Sequence, residues 1–276
     1  MAYLDLDGFK LYYEVHEGLC DQDSLFIHGN LACHLWWHPT REAFKDSVKK
    51  SGLKKNGRMV IADWRGCGLS KGLNSKEDID FTEFAKDYLK LIEHLNLQSV
   101  NVVGHSTGGL IAMLAILEEP QAFRSLTLLD SIGPRGIELE LPEEQVMGHF
   151  QMISENRALC DQVIAATIEN VDIQSDLFKK IADATFNVDS PIFTGVPEVL
   201  IHKIDIVERM KDINLPTLIL HGEKDLVLPV EGSERLSKWI PYSQFKILKG
   251  HGHSYNMEDP KAFSEDLQSF WVNSHQ

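Results

Sequence analysis

The sequence is poor in cysteine, in long apolar runs and in positive charge, and each shortage excludes a class of protein. Its four cysteines are spread through the chain without a C-x-x-C pair, so neither a zinc knuckle nor a disulfide framework is indicated. No run of about 18 apolar residues occurs, and the first ten residues lack the basic and apolar blocks of a signal peptide. We therefore expect a cytoplasmic protein without a membrane span.

Positive charge is scarce: 27 Lys and Arg stand against 41 Asp and Glu, which gives a formal net charge of −14. A nucleic acid or an anionic membrane demands a basic surface, so neither is expected as a partner. The 276 residues, 43% of them hydrophobic, are enough to bury a large core without disulfides or metals. We expect one large domain, with or without an insertion, and the sequence leaves the oligomeric state open.

Short apolar runs rich in β-branched residues recur along the chain, and helical periodicity fills most gaps between them. The predicted strands are Phe9–Val15, Ser24–Ile27, Met59–Asp63, Ser99–Gly104, Ser125–Leu129, Thr217–His221 and Phe245–Leu248. The predicted helices include Phe81–Leu95, Leu110–Leu117 and Ala262–Val272. Almost wholly apolar strands that alternate with helices are typical of a doubly wound, mostly parallel α/β sheet.

The stretch from Ile132 to Asn214 breaks this alternation, because several helical segments follow one another there without a convincing strand. The simplest interpretation is an all-helical insertion over the carboxyl ends of the strands, where the sites of open α/β sheets lie. We expect this insertion to act as a lid.

A serine flanked by glycines follows one of the predicted strands. The segment Gly104-His105-Ser106-Thr107-Gly108 stands between that strand and a predicted helix. A turn this tight needs small residues around the serine and exposes its hydroxyl above the sheet. The N-terminus of the following helix offers backbone N–H groups to a developing oxyanion. The pattern therefore predicts Ser106 as a nucleophile.

A serine hydroxyl needs a base to take its proton and a carboxylate to orient that base. Two histidines, His251 and His253, follow the last predicted strand, where a loop can fold back over Ser106. Asp225 follows the preceding strand and is the candidate for the orienting carboxylate. The chain order Ser, Asp, His is the one expected for a nucleophile on such a turn.

Five motifs in a fixed order connect these residues to a known family. They are His28-Gly29-Asn30, Asp63-Trp64-Arg65-Gly66-Cys67-Gly68-Leu69-Ser70, Gly104-His105-Ser106-Thr107-Gly108, His221-Gly222-Glu223-Lys224-Asp225 with Pro229, and Gly252-His253-Ser254 followed by Glu258 and Pro260. With these motifs the chain resembles the α/β-hydrolase superfamily, specifically its cap-bearing serine esterase-like members. The resemblance covers essentially the whole chain outside the helical stretch.

The resemblance implies a fold and a division of the chain. The fold is α/β, a doubly wound and mostly parallel sheet, with an all-helical cap inserted after the sixth strand. Residues 1–131 and 215–276 are expected to form the α/β-hydrolase core, and residues 132–214 the helical cap.

The resemblance also implies roles for individual residues. It selects His253 as the catalytic base, because Glu258 and Pro260 follow it as an acidic residue and a proline do in the family. It places the oxyanion hole at the backbone N–H groups of Asn30, with Leu31 as the neighbouring alternative, and of Thr107.

A second residue is a candidate for the carboxylate that orients the histidine. Some relatives carry it after the strand that follows the nucleophile helix, and Asp130 stands at that place. Asp225 is preferred because glycine precedes it and proline follows it, as in the usual acid loop.

These residues imply a serine hydrolase, of carboxylesterase type, that cleaves a small or medium ester-like substrate by acyl transfer through a Ser-His-Asp triad and needs no cofactor. Haloalkane dehalogenases and epoxide hydrolases are disfavoured, because they need an aspartate where this chain has Ser106. Two alternatives stay open: the same triad acting as a carbon–carbon hydrolase, lactonase or perhydrolase, and a non-catalytic ligand receptor or scaffold on the same fold.

No metal site is predicted. His28, His34 and His38 lie close together in the sequence, but a metal site needs histidines that converge with a carboxylate or a thiolate. The resemblance already explains His28.

A few further side chains have expected structural or pocket roles. Asp63 and Arg65 are expected to fasten a turn by an ion pair. The predicted cap offers candidates for the lining of a substrate pocket, namely His149, Phe186, Phe193 and His202.

Overall fold

A sheet of eight strands organises the chain in the computed structural model, which describes residues 2–6, 8–52, 55–139 and 141–274. The strands are β1 Ala2–Leu6, β2 Phe9–Cys20, β3 Ser24–Ile27, β4 Gly57–Ala62, β5 Val100–His105, β6 Phe123–Leu129, β7 Thr217–Gly222 and β8 Ser243–Leu248. Their spatial order is β1-β2-β4-β3-β5-β6-β7-β8. β2 pairs antiparallel with β1 and β4, and the remaining pairs are parallel. The predicted mostly parallel sheet is confirmed.

Helices cover both faces of this sheet. They are α1 His38–Ser51, α2 Phe81–His94, α3 Thr107–Glu118, α4 Glu143–Glu155, α5 Arg157–Ala166, α6 Asp176–Phe186, α7 Pro191–His202, α8 Val230–Trp239, α9 Tyr255–Glu258 and α10 Pro260–Asn273. In the ranges that the structure describes, no helix is long and apolar enough to cross a membrane.

Two apolar cores lie on opposite sides of the sheet, as expected for a doubly wound fold. One contains the apolar residues of α2 and α3 and packs against the centre of the sheet. The other contains Phe44 of α1 and Phe263, Leu267 and Phe270 of α10. β5 and nearly all of α3 are buried, because β5 has a parallel neighbour on each side and α3 packs on the sheet and on α2. These two elements fix the position of Ser106 between them.

The prediction missed the first strand and shortened the second. β1 is an edge strand whose residues alternate between half-buried and exposed until Leu6, so it lacks the apolar run of a buried strand. β2 continues beyond Val15 to Cys20 and changes register against β4 near its end.

In the described part of the connection from β6 to β7, the α-helices α4 to α7 are followed by a short 3-10 helix, Val207–Asp212. Apart from an isolated bridge between Gly133 and Gly136, the described part of this connection contains no β-structure. Helical content after the sixth strand therefore agrees with the prediction. Asp189, just before α7, accepts hydrogen bonds from the N–H groups of Gly72 and Leu73 at 2.8 Å each, which joins this connection to the loop after β4.

Candidate active site

Ser106 occupies a sharp turn between β5 and α3. Its backbone has φ 53° and ψ −123°, a conformation that L-residues rarely adopt. The turn is held from outside, because the Ser106 N–H donates to the Leu129 carbonyl at 2.9 Å and the Ser106 carbonyl accepts from Ile132 at 3.1 Å. The neighbouring strand β6 thus fixes the serine that the sequence pattern singled out.

The two glycines of the pattern are required by close backbone contacts. A Cβ on Gly104 would come 2.5 Å from the Gly108 carbonyl oxygen, and one on Gly108 would come 2.3 Å from the Ile27 carbonyl oxygen. Both distances are far inside van der Waals contact. The spacing of Gly, Ser and Gly therefore follows from the packing of α3 against the ends of β3 and β5.

His253 and Asp225 form a buried pair. Asp225 lies in the loop after β7, and His253 lies between β8 and α9. His253 Nδ1 is 2.7 Å from Asp225 Oδ2, and both side chains are almost fully buried. A carboxylate can only accept, so the proton sits on Nδ1, and the lone pair of His253 is on Nε2.

Backbone donors hold the Asp225 carboxylate in one orientation. The N–H groups of Val227 and Leu228 donate to its other oxygen, Oδ1, at 2.7 and 3.1 Å. Burial alone would raise the pKa of Asp225, but these bonds and His253 hold it below its ordinary value. Asp225 is therefore an anion that accepts a hydrogen bond from His253 Nδ1.

Asp130 lies beside this pair, at the end of β6, and does not contact His253 by a hydrogen bond in the described residues. It is fully buried, and its Oδ1 accepts the N–H of Gly222 at 2.7 Å, while Oδ2 has no donor among the described residues. Burial and the neighbouring Asp225 raise the pKa of Asp130 well above its ordinary value. The structure thus brings both predicted acids to one place, and of the two only Asp225 is hydrogen-bonded to His253 among the described residues.

The loop that carries His253 is fixed from two sides. His105 donates from Nε2 to the His253 carbonyl at 2.8 Å, and burial lowers the pKa of His105 to about 3, so its ring is neutral. Glu258 accepts the N–H of Gly252 at 2.9 Å and that of Glu169, after α5, at 3.0 Å. In the sequence, Glu258 serves only to choose His253 as the base. Its contacts in the structure also join the His253 loop to the segment after α5.

The loop after β3 touches the serine. A Cβ on Gly29 would come 2.9 Å from the Ser106 Cβ, so only glycine allows this approach. The next residue, Asn30, and the first residue of α3, Thr107, line the same cavity as Ser106. Leu31, the alternative to Asn30, has φ 51° and lines this cavity as well.

An apolar cavity of about 390 Å³ opens above these residues and is lined by both Ser106 and His253. Its walls come from the loop after β3, from α4, α5 and α7, and from the loop after Asp225. None of the described residues that line it is Asp, Glu, Lys or Arg. Such a cavity favours a neutral, apolar ligand.

Of the four candidates for the pocket lining in the helical stretch, one lines the cavity described above. His149 lines the cavity, whereas Phe186 packs under the Arg157 guanidinium and His202 pairs with Glu143 at 2.8 Å. Phe193 is buried in the core. The lining residues that the sequence reasoning missed on α4 are Val146, Phe150 and Ile153. These residues are spaced by four and by three positions, so they form an apolar stripe on one face of α4 that is visible in the sequence.

The predicted ion pair between Asp63 and Arg65 is wrong. Arg65 forms a two-point contact with Asp87 on α2, at 2.5 and 2.8 Å. Asp63 is fully buried and accepts instead from His34. The expectation failed because each side chain has a partner from a distant segment, Asp87 for Arg65 and His34 for Asp63, which the local spacing does not reveal.

Comparisons with known proteins agree with this architecture. Residues 25–260 match the family of the alpha/beta hydrolase fold. The chain is 25% identical to the uncharacterized hydrolase YugF of Bacillus subtilis, over 96% of this chain and 95% of the relative. It is 24% identical to the (R)-3-hydroxydecanoyl-ACP:CoA transacylase of Pseudomonas putida, over 95% of this chain and 87% of the relative. An esterase structure from Exiguobacterium antarcticum superposes with a TM-score of 0.83 at 22% identity, covering 98% of this chain and 97% of that one.

The chain belongs to the α/β-hydrolase fold family, because the family match covers most of its length. The fold and the enzyme class predicted from the sequence are therefore confirmed.

Proposed function

We propose that the protein is a serine hydrolase that cleaves small or medium ester-like substrates by acyl transfer through Ser106, His253 and Asp225. The observation that carries the proposal is the Nδ1–Oδ2 contact of 2.7 Å between His253 and Asp225, beside a cavity that both His253 and Ser106 line. The name of one relative, a transacylase, is compatible with acyl transfer.

In the proposed first step, Ser106 Oγ attacks the carbonyl carbon while His253 Nε2 takes the serine proton. Asp225 keeps the proton of His253 on Nδ1 and stabilises the imidazolium that forms. The backbone N–H groups of Asn30 and Thr107 donate to the oxyanion, which is worth on the order of 3 kcal/mol per donor. The strained turn at Ser106 keeps the hydroxyl in place before the substrate arrives.

In the second half of the reaction, His253 returns the proton to the leaving alcohol. It then takes a proton from a water molecule, which attacks the acyl carbon. The bond from that carbon to Ser106 Oγ breaks as His253 returns the proton to Oγ, which releases the acid and restores the free serine. Every group that these steps need belongs to the chain, the substrate or water.

We infer that residues 132–214 form a cap over the core of residues 1–131 and 215–276. Helices α4, α5 and α7 supply one wall of the cavity, and Glu258 links the His253 loop to the segment after α5. A cap in this position would set the size of the acyl group that fits.

The cavity supports a substrate with an uncharged acyl chain. The cavity volume of about 390 Å³ lies in the usual range for small-molecule sites, so a small or medium substrate fits. We expect the rate to pass through a maximum as the acyl chain is lengthened.

The test is hydrolysis of nitrophenyl esters, from acetyl to dodecanoyl, by the wild type and by Ser106→Ala. Turnover by the wild type that is lost in Ser106→Ala supports the proposal. Stoichiometric capture of substrate without turnover would favour a receptor. Turnover of lactones or of carbon–carbon substrates in place of esters would move the proposal to another bond.

A further inference from the structure

A second group of polar side chains lies away from the cavity, between β2 and the start of α1. His34 opens a short 3-10 helix, His34–Trp37, which continues directly into α1 at His38. The two histidines are four residues apart, and their rings lie next to each other, with centroids separated by 5.5 Å. Imidazole is a common ligand of transition metals.

Glu14 of β2 supplies the carboxylate that the sequence could not place beside these histidines. It is 6% exposed, and both of its carboxylate oxygens lie 3.3 Å from His38 Nε2. Ligand atoms of Glu14, His34 and His38 all lie within 4.8 Å of one another. One possible ligand atom from each of the three side chains therefore lies in the same small region.

Asp63 sets the tautomer of His34. His34 Nδ1 is 2.8 Å from Asp63 Oδ2, and Asp63 also accepts the N–H of Leu69 at 2.8 Å, so the carboxylate is held in place. The proton of His34 then sits on Nδ1, and its lone pair on Nε2 is directed away from Asp63. A carboxylate behind a histidine in this manner is the usual outer support of a zinc ligand.

The distance between Glu14 and His38 suits two ligands of one ion. Zinc ligands lie about 2.0–2.1 Å from the metal, so neighbouring corners of a tetrahedron are about 3.3–3.4 Å apart. The distance of 3.3 Å matches this edge and is longer than the usual hydrogen bond of about 2.9 Å.

We propose that Glu14, His34 and His38 form a Zn²⁺ site, with Asp63 as its outer support and water as the fourth ligand. Two histidines and one glutamate are an established ligand set for zinc. The His38 side chain is 21% exposed, which gives solvent and metal access to the group. The site would clamp the loop between β3 and α1 to β2, and its existence does not depend on the proposed function.

Arg41 is a permanently charged competitor for the metal at Glu14, which also accepts a hydrogen bond from the Tyr12 hydroxyl at 3.0 Å. Its Nη1 lies 3.3 Å from Glu14 Oε2, while its Nη2 lies 2.8 Å from Glu42 on the same helix. A cation this close to a ligand lowers the affinity for Zn²⁺ by charge repulsion. Its second partner lets the guanidinium stay paired when the metal binds.

The test is calorimetric titration of the full chain, treated with chelator and then freed of it, with Zn²⁺. We expect one Zn²⁺ per chain with a dissociation constant in the micromolar range or below. His34→Gln and His38→Gln each weaken binding at least about tenfold. Arg41→Met, which removes the competing charge, tightens it.

His16→Gln is the matched control. His16 Nε2 also touches Glu14, at 2.9 Å, but does not join the converging group, so its loss should change the affinity less than about threefold. Circular dichroism of each metal-free variant checks that it folds.

Two results would overturn the proposal. One is the absence of binding by the wild type at hundreds of micromolar Zn²⁺. The other is an equal loss of affinity in His16→Gln and in the two ligand variants. Titration with Co²⁺ adds a readout on the wild type alone: intense visible absorption of low-coordinate Co²⁺ supports the site, and the weak spectrum of hydrated Co²⁺ contradicts it.

Discussion

The two buried carboxyl groups near His253 can be separated by replacing each with asparagine. Asparagine has the size of aspartate, so neither variant leaves a cavity, and both test the hydrogen-bond pattern. We expect Asp225→Asn to lower kcat/KM for a nitrophenyl ester by about 10⁴-fold. We expect Asp130→Asn to lower it by less than about tenfold.

The large effect at Asp225 follows from its backbone donors. The N–H groups of Val227 and Leu228 point at Oδ1, so the amide oxygen of an asparagine must take that position. The NH₂ group then faces His253 Nδ1, which must give up its proton to accept. The histidine would carry its proton on Nε2 and could no longer take one from Ser106.

The small effect at Asp130 follows from its contacts, because it forms no hydrogen bond with His253 among the described residues. The Gly222 N–H fixes the acceptor at Oδ1, so the amide NH₂ of an asparagine occupies the position of Oδ2. The hydrogen bond between Asp225 and His253 is therefore left in place.

The assay is kcat/KM near neutral pH on one nitrophenyl ester, with the fraction of active sites titrated and the fold checked by circular dichroism. A greater loss in Asp130→Asn than in Asp225→Asn would refute the reasoning and move the acid to the end of β6.

The remaining predictions concern stability and the cavity. Gly108→Ala, whose Cβ would lie 2.3 Å from a carbonyl oxygen, should prevent stable folding, whereas Gly148→Ala on α4, with nothing within 4 Å, should stabilise by about 0.5–1 kcal/mol in chemical denaturation. Val163→Phe should cut the preference for octanoyl over acetyl esters roughly tenfold, because Val163 lines the cavity; Ala166→Phe, exposed on the same helix, should leave the ratio unchanged. Asp23→Asn, which removes the ion pair with Arg58 at 2.6 Å, should cost about 1–3 kcal/mol at neutral pH. Burial would raise the pKa of Asp23, but Arg58 holds it below its ordinary value of about 3.8. The stabilisation by this ion pair is therefore present above that pH and is lost as the pH falls further. The difference in the free energy of unfolding between the wild type and Asp23→Asn should shrink at such low pH, and a difference that stays constant would contradict this. The control variant is Asp21→Asn, because Asp21 pairs with Lys55 from an exposed position.

Buried strands and tight turns were predictable because each leaves a local signature. β3 was predicted with its observed bounds, since Ser24–Ile27 is an apolar run buried on both faces. The pattern around Ser106 was equally local, because the glycines answer contacts made by the turn itself. The pairing of His253 with Asp225 followed from the order of the motifs.

Contacts between distant segments were not predictable. Glu14 and His38 are 24 residues apart and meet only because α1 packs against β2. The raised pKa of Asp130 depends on its burial beside a second acid, which no spacing in the sequence reveals. Phe186 and His202 failed as pocket residues because the facing of a helix depends on its packing against the core.

The most direct test of the proposed mechanism is covalent labelling with a fluorophosphonate, which reacts with a serine only when a base activates it. After digestion, mass spectrometry should find the phosphonyl group on Ser106 in the wild type and should find none in His253→Ala. Absence of label on the folded wild type, or label on a different serine, would contradict the account.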